Sequence, residues 1–92
     1  MPLQDIIAFV EKAKKQAWRD FKDRYGDGGQ ALVLMLARKY SGLTQTELAT
    51  KLGLKPTVNI SATIKRYQER LRTDTAEQKL ASAAEEMIND TI

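Results

Sequence analysis

Apolar residues return along this chain at steps of three and four, and the runs are separated by glycines or by residues that cap helices. The first run takes Leu3, Ile6, Ile7, Val10, Ala13 and Ala17, then Trp18, Phe21 and Tyr25, with charges between them. That spacing predicts one helix from Leu3 to about Arg24. Pro2 suits its start, where a missing N–H has no intrahelical acceptor to lose, and Gly26-Asp27-Gly28-Gly29 ends it. Trp18, Phe21 and Tyr25 have the residue types of a base-stacking platform, but their helical spacing favours a place in the core. A second helix, about Gly29 to Tyr40, is apolar on every side through Ala31-Leu32-Val33-Leu34-Met35-Leu36-Ala37 and is therefore expected at the centre of a small bundle. Arg38 and Lys39 close it, complementing the helix dipole.

Ser41-Gly42 interrupts the pattern and Thr44 restarts it. Thr44 and Glu47 have the spacing of a capping box, in which hydroxyl and carboxylate each satisfy an unpaired backbone N–H. Leu48, Leu52 and Leu54 supply the buried contacts of this short helix, and Gly53 permits the turn after it. From Thr57 to about Arg72, Ile60, Ile64, Tyr67 and Leu71 form one apolar stripe, which predicts a fourth helix. Val58, Ala62, Lys65 and Glu69 fall opposite the stripe, with Asn59, Ser61 and Arg66 on its flanks. Asp74 and Glu77 repeat the capping spacing, and Leu80, Ala83, Ala84, Met87 and Ile88 continue as a last helix. The reading is a single all-α domain over residues 1–92, a five-helix bundle containing a helix-turn-helix. Residues 1–28 form the first helix and its glycine-rich turn, 29–72 the core helix with the helix-turn-helix, and 73–92 the final helix.

Charge separates these parts. The net charge is +3, but residues 31–72 carry +6 and residues 73–92 carry −4. The basic excess sits on the proposed reading module, where a polyanionic partner is expected. The acidic last helix should pack away from it. Hydrophobic residues at 42% and charged residues at 29% make an ordinary globular balance and argue against disorder. The chain has no cysteine and no histidine, which removes disulfides, thiolate metal sites and the usual general base and metal ligand. Gly26 to Gly29 lacks the spacing of a phosphate loop. No catalytic residue, metal or cofactor is assigned. No apolar run approaches the roughly 20 residues needed to span a bilayer, so a cytoplasmic, nucleoid-associated protein is expected.

One spacing places the module more narrowly. Ile60 lies one position further beyond Gly53 than the matching residue of the commonest helix-turn-helix, so the turn is one residue longer. With Leu36-Ala37-Arg38, Ser41-Gly42-Leu43-Thr44, Glu47-Leu48-Ala49 and Gly53, this resembles the C-terminal DNA-binding domain of the replication initiator DnaA, of the Trp-repressor-like superfamily. Lys55 and Pro56-Thr57-Val58-Asn59 depart from that family's reading motif, so the initiator's recognition site is not implied. A closer resemblance is to the C-terminal extension of REP-associated, single-tyrosine transposase-like proteins. It rests on Trp18-x-x-Phe21-x-x-Arg24-Tyr25-Gly26-Asp27, Leu36-Ala37-Arg38-Lys39-x-x-Gly42-Leu43, Glu47-Leu48-Ala49, Ile60-Ser61 and Lys65-Arg66-Tyr67-x-x-Arg70-Leu71, and covers about residues 18 to 80. The resemblance implies a separate catalytic domain with a His-hydrophobe-His metal pair and a nucleophilic tyrosine. Without histidine that site cannot be assembled here, so Tyr25, Tyr40 and Tyr67 are read as packing residues.

The expected function is binding of double-stranded DNA, without catalysis. Lys55, Thr57, Asn59, Ser61 and Lys65 are the expected groove contacts: short side chains allow close approach and Asn can pair with adenine. Thr44, Gln45, Lys51 and Arg66 are the expected backbone contacts. A parent protein's catalytic domain or a second copy of the chain would be a further partner. Two alternatives are a protein-interaction or oligomerisation module, using a shared apolar surface of the first and last helices, and a free-standing transcription or replication regulator.

Overall fold

The apolar run at Ala31–Ala37 does become the centre of the molecule. In the computed structural model, which describes all 92 residues, it lies in α3 (Gly29–Tyr40), and Leu32, Val33, Leu34 and Ala37 are fully buried. Around it stand α1 (Leu3–Lys14), α2 (Trp18–Phe21), α4 (Gln45–Leu52), α5 (Ile60–Arg70) and α6 (Thr75–Thr91), with no strand. The α1 helix packs on both α3 and α6, whereas α2, α4 and α5 pack on α3. One hydrophobic cluster of 16 buried residues draws on all six helices. No helix is long and apolar enough to cross a membrane.

Six helices replace the five expected, because the first run divides. Lys15 takes a left-handed conformation (φ 58°), and Gln16 N–H donates to the Glu11 carbonyl across it. This is the helix-ending geometry that glycine usually occupies, at a cost for lysine of roughly 1 to 2 kcal/mol. Tertiary packing offsets it. The turn redirects the chain so that Phe21 is fully buried, its ring edge-to-face with Trp18 at 5.5 Å. The Glu11 carboxylate then accepts the Trp18 N–H at 2.8 Å and caps α2. Tyr25 is a second correction: instead of packing, it is fully exposed beyond the end of α2.

The turn into α3 is held by a nearly buried ion pair. Asp27 Oδ1 accepts the Gly29 N–H at 2.8 Å and lies 3.0 Å from Lys14 Nζ, with the two side chains only 8% and 11% exposed. Burial pushes the Asp27 carboxyl up, but the Gly29 N–H and the Lys14 and Arg24 charges outweigh it, so the net displacement is downward. Because the folded-state pKa is the lower one, the stabilisation is present above the ordinary carboxylate range and is lost as pH falls below about 4. Asp27→Asn is expected to be less stable than the parent near pH 6 and to converge on it as pH falls towards 2.5, read from urea midpoints. A constant gap across that range would remove the ion pair from the account.

Other boundaries follow local chemistry. Thr44 Oγ1 accepts the Glu47 N–H at 3.2 Å and Thr44 N–H donates to Glu47 Oε1 at 3.1 Å, closing the expected capping box. Gly53 ends α4 in the left-handed region (φ 64°). At α6 only half of the expected box forms. Asp74 Oδ1 accepts the Glu77 N–H, but Glu77 turns inward and is buried (9% exposed) beside Tyr67 and Gly28, and Asp74 N–H donates to the Arg70 carbonyl instead. Burial first, and Glu77 second, push the Tyr67 hydroxyl up, so it stays protonated.

Candidate nucleic-acid interface

The α4 and α5 helices present their polar faces through residues that the sequence spacing singles out. Thr44, Gln45, Lys51, Lys55, Thr57, Asn59, Ser61, Lys65 and Arg66 are all exposed. Lys51, Lys55, Lys65 and Arg66 belong to no ion pair, nor do Arg38 and Arg72. The two remaining cations of the basic segment are engaged elsewhere, Lys39 with Glu85 on α6 and Arg70 with Asp74. Acidic α6 thus reaches α3 through Glu85 and packs most extensively on α1, while its first turn meets α5, where Glu77 is buried beside Tyr67. The free positive charge remains on and around α4 and α5.

The structure joins two of the candidate residues across sixteen positions. Gln45, first in α4, donates from Nε2 to Ser61 Oγ, second in α5. Gln45, Thr57 and Asn59 also line a shallow open cleft between the start of α4 and the segment entering α5. Lys51 stands apart from them. It lies near the other end of α4, at the edge of a groove with Met1, Leu3, Ile7 and Leu43. Arg66 is on another flank, where it shares a cleft with Tyr25, Thr63 and Arg70. Arg70 Nη1 donates to the Gly26 carbonyl at 3.0 Å and ties the Tyr25 loop to α5. An exposed aromatic beside two arginines was hidden by the helical phase of Tyr25 with Trp18 and Phe21.

The α5 helix begins at Ile60, three residues later than expected, so Thr57 and Val58 lie in the approach. Pro56 interrupts the chain there, and Val58 N–H donates to the Lys55 carbonyl in a turn. Asn59 is the N-cap: its Oδ1 accepts the Ala62 N–H at 3.0 Å. One of the two acceptor positions on that oxygen is therefore used inside the protein, and the cap fixes where the other points. Asn59→Ala is expected to lower stability by about 1 kcal/mol, visible in thermal unfolding, whereas Asn59→Ser should retain most of it because serine caps equally well. Equal stability of the alanine and parent proteins would show that the cap contributes nothing.

No histidine, cysteine or carboxylate cluster here could hold a metal ion. The arrangement offers exposed amide, hydroxyl, ammonium and guanidinium groups on and between two helices, which is chemistry for recognition of an anion-bearing partner. The fold and this surface define an all-α domain with a basic two-helix face. No protein-family model, curated protein or solved structure matches the chain.

Proposed function

We propose that this chain binds double-stranded DNA, with α4 and α5 acting as a helix-turn-helix and the start of α5 entering the major groove. The observation that carries the reading is that Lys51, Lys55, Lys65 and Arg66, on and between α4 and α5, are exposed and have no acidic partner, while Glu85 of the acidic helix is engaged by Lys39. Cations without protein partners are available to phosphate, and the exposed amides and hydroxyls beside them are available to base edges. Under this reading the domain is the DNA-recognition part of a transposase-like protein, with chemistry supplied by a separate domain.

The protein-interaction reading has less to draw on. The apolar faces of α1 and α6 already cover each other and α3, with Ile6, Val10, Ala84 and Ile88 fully buried. The deciding experiment is retention of the purified chain on a random duplex library over a salt series, with sequencing of the retained DNA. Retention that falls steeply with salt and enriches one motif is the expected result. No retention at low salt, together with a mass that rises with protein concentration, would replace DNA binding by self-association.

A further inference from the structure

Among the polar groups of α4 and α5, the Gln45–Ser61 bridge is the one contact that reaches from one helix to the other on the exposed face. It links the first residue of α4 to the second residue of α5, and neither side chain is needed to close a core or a cap. Thr44, the residue before Gln45, caps α4, and Asn59, two residues before Ser61, caps α5. Both ends of the bridge are consequently mounted on fixed helix starts. A long, flexible amide is thereby held in one orientation before any partner arrives.

We propose that Gln45, oriented by Ser61, is the base-reading residue of this surface, and that it selects adenine. The inference rests on the DNA-binding reading above and deepens it, moving Gln45 from phosphate contact to base contact. The hydrogen-bond inventory carries the choice of base. A glutamine amide has one oxygen acceptor and two N–H donors, and one N–H is spent on Ser61 Oγ. One acceptor and one donor remain, and they stand side by side when Ser61 takes the proton anti to the amide oxygen. Adenine presents the complement in the major groove, an N6 donor next to an N7 acceptor. Guanine presents two acceptors, so the Gln45 oxygen would face O6 without a proton between them. Asn59, the other amide in the region, has its oxygen turned to the Ala62 N–H and is the poorer reader. Ser61 acts as a positioning residue: it accepts from Gln45, and its own hydroxyl proton is left for a phosphate or a neighbouring base edge.

The test uses the intact chain and the motif enriched from a random duplex library, with Gln45→Ala, Ser61→Ala, the double variant and Gln45→Glu. Both positions are exposed, so the variants should unfold at the parent's temperature, which the same samples can show. The expected result is an adenine at one motif position whose preference over guanine falls about tenfold in Gln45→Ala. Ser61→Ala should lose several-fold of that preference, and the double variant should lose no more than Gln45→Ala, since an anchor matters only while the reader is present. Gln45→Glu, which cannot donate to Ser61 and offers only acceptors, should shift the preference at that position to cytosine. An enriched motif whose base preferences are the same in parent and variants would overturn the role of Gln45 while leaving DNA binding in place. Failure of the parent chain to retain any DNA would overturn both.

Discussion

Gly29→Ala is expected to lower the stability of this protein by about 2 to 3 kcal/mol, with a fall of roughly 10 to 20 °C in the thermal midpoint. Helix propensity alone has the opposite sign, since alanine is favoured over glycine inside a helix by up to about 1 kcal/mol. Packing decides. A Cβ on Gly29 would lie 2.2 Å from Cδ1 and 2.5 Å from Cε1 of Phe21, a ring with no exposed surface. The ring has little room to retreat, with the edge-to-face contact of Trp18 at 5.5 Å and Lys14 Nζ 5.0 Å from its centroid. The backbone is equally constrained, because Gly29 N–H is bonded to Asp27 and Asp27 to Lys14. Phe21→Leu should relieve part of the clash, so the double variant is expected to be more stable than the sum of the two single losses by about 1 kcal/mol or more. Strict additivity, or a stable Gly29→Ala protein, would mean that helix and ring do not meet as described.

The second large effect is electrostatic. Binding to mixed-sequence duplex DNA is expected to weaken by about 150-fold between about 50 and about 200 mM monovalent salt. That is the loss for a slope near −3.6 in log affinity against log salt, as four phosphate contacts would give. The count takes one phosphate each for Lys51 and Arg66, the expected backbone contacts, and one each for Lys55 and Lys65 at the edge of the groove, none of the four being neutralised within the protein. Arg66→Ala should reduce the magnitude of the slope by about 0.9 and weaken all sequences alike, while Arg66→Lys should leave the slope near the parent value. Lys51 provides an internal comparison, because it stands at the other end of α4 beside the start of α1. A slope unchanged by Lys51→Ala but reduced by Lys65→Ala would confine the footprint to the start of α4 and to α5. Affinity insensitive to salt in the parent chain would defeat the phosphate-binding role of the whole surface.

Much of this architecture is legible in neighbouring residues. The seven apolar residues from Ala31 to Ala37 leave no polar side for solvent, and a helix of that kind belongs at the centre of a small bundle. Thr44 and Glu47 complete their cap with groups three residues apart, and Gly53 supplies the left-handed turn that follows. The exposed cations of α5, Lys65 and Arg66, were visible for the same reason: the apolar stripe through Ile60, Ile64 and Tyr67 sets the opposite face without reference to the rest of the chain.

The remaining features depend on encounters between distant parts. The break at Lys15 has no glycine or proline to announce it, and Trp18 and Phe21 continue the apolar phase of the preceding helix across it. The burial of Phe21 and the Glu11 bond to the Trp18 N–H, both made beyond that turn, offset the local cost of a left-handed lysine. Asn59 illustrates a different limit, since the residue types that cap helices are also those that read bases, and its cap on the Ala62 N–H is visible only in the structure. Tyr25 shares the spacing of its buried neighbours but is carried outside once α2 ends early. Gln45 and Ser61 are sixteen residues apart and meet because α4 and α5 both pack on α3. Periodicity and capping are written over three or four residues because a helix repeats on that length, whereas turns under strain and contacts between helices take their free energy from surfaces that exist only after the helices have packed.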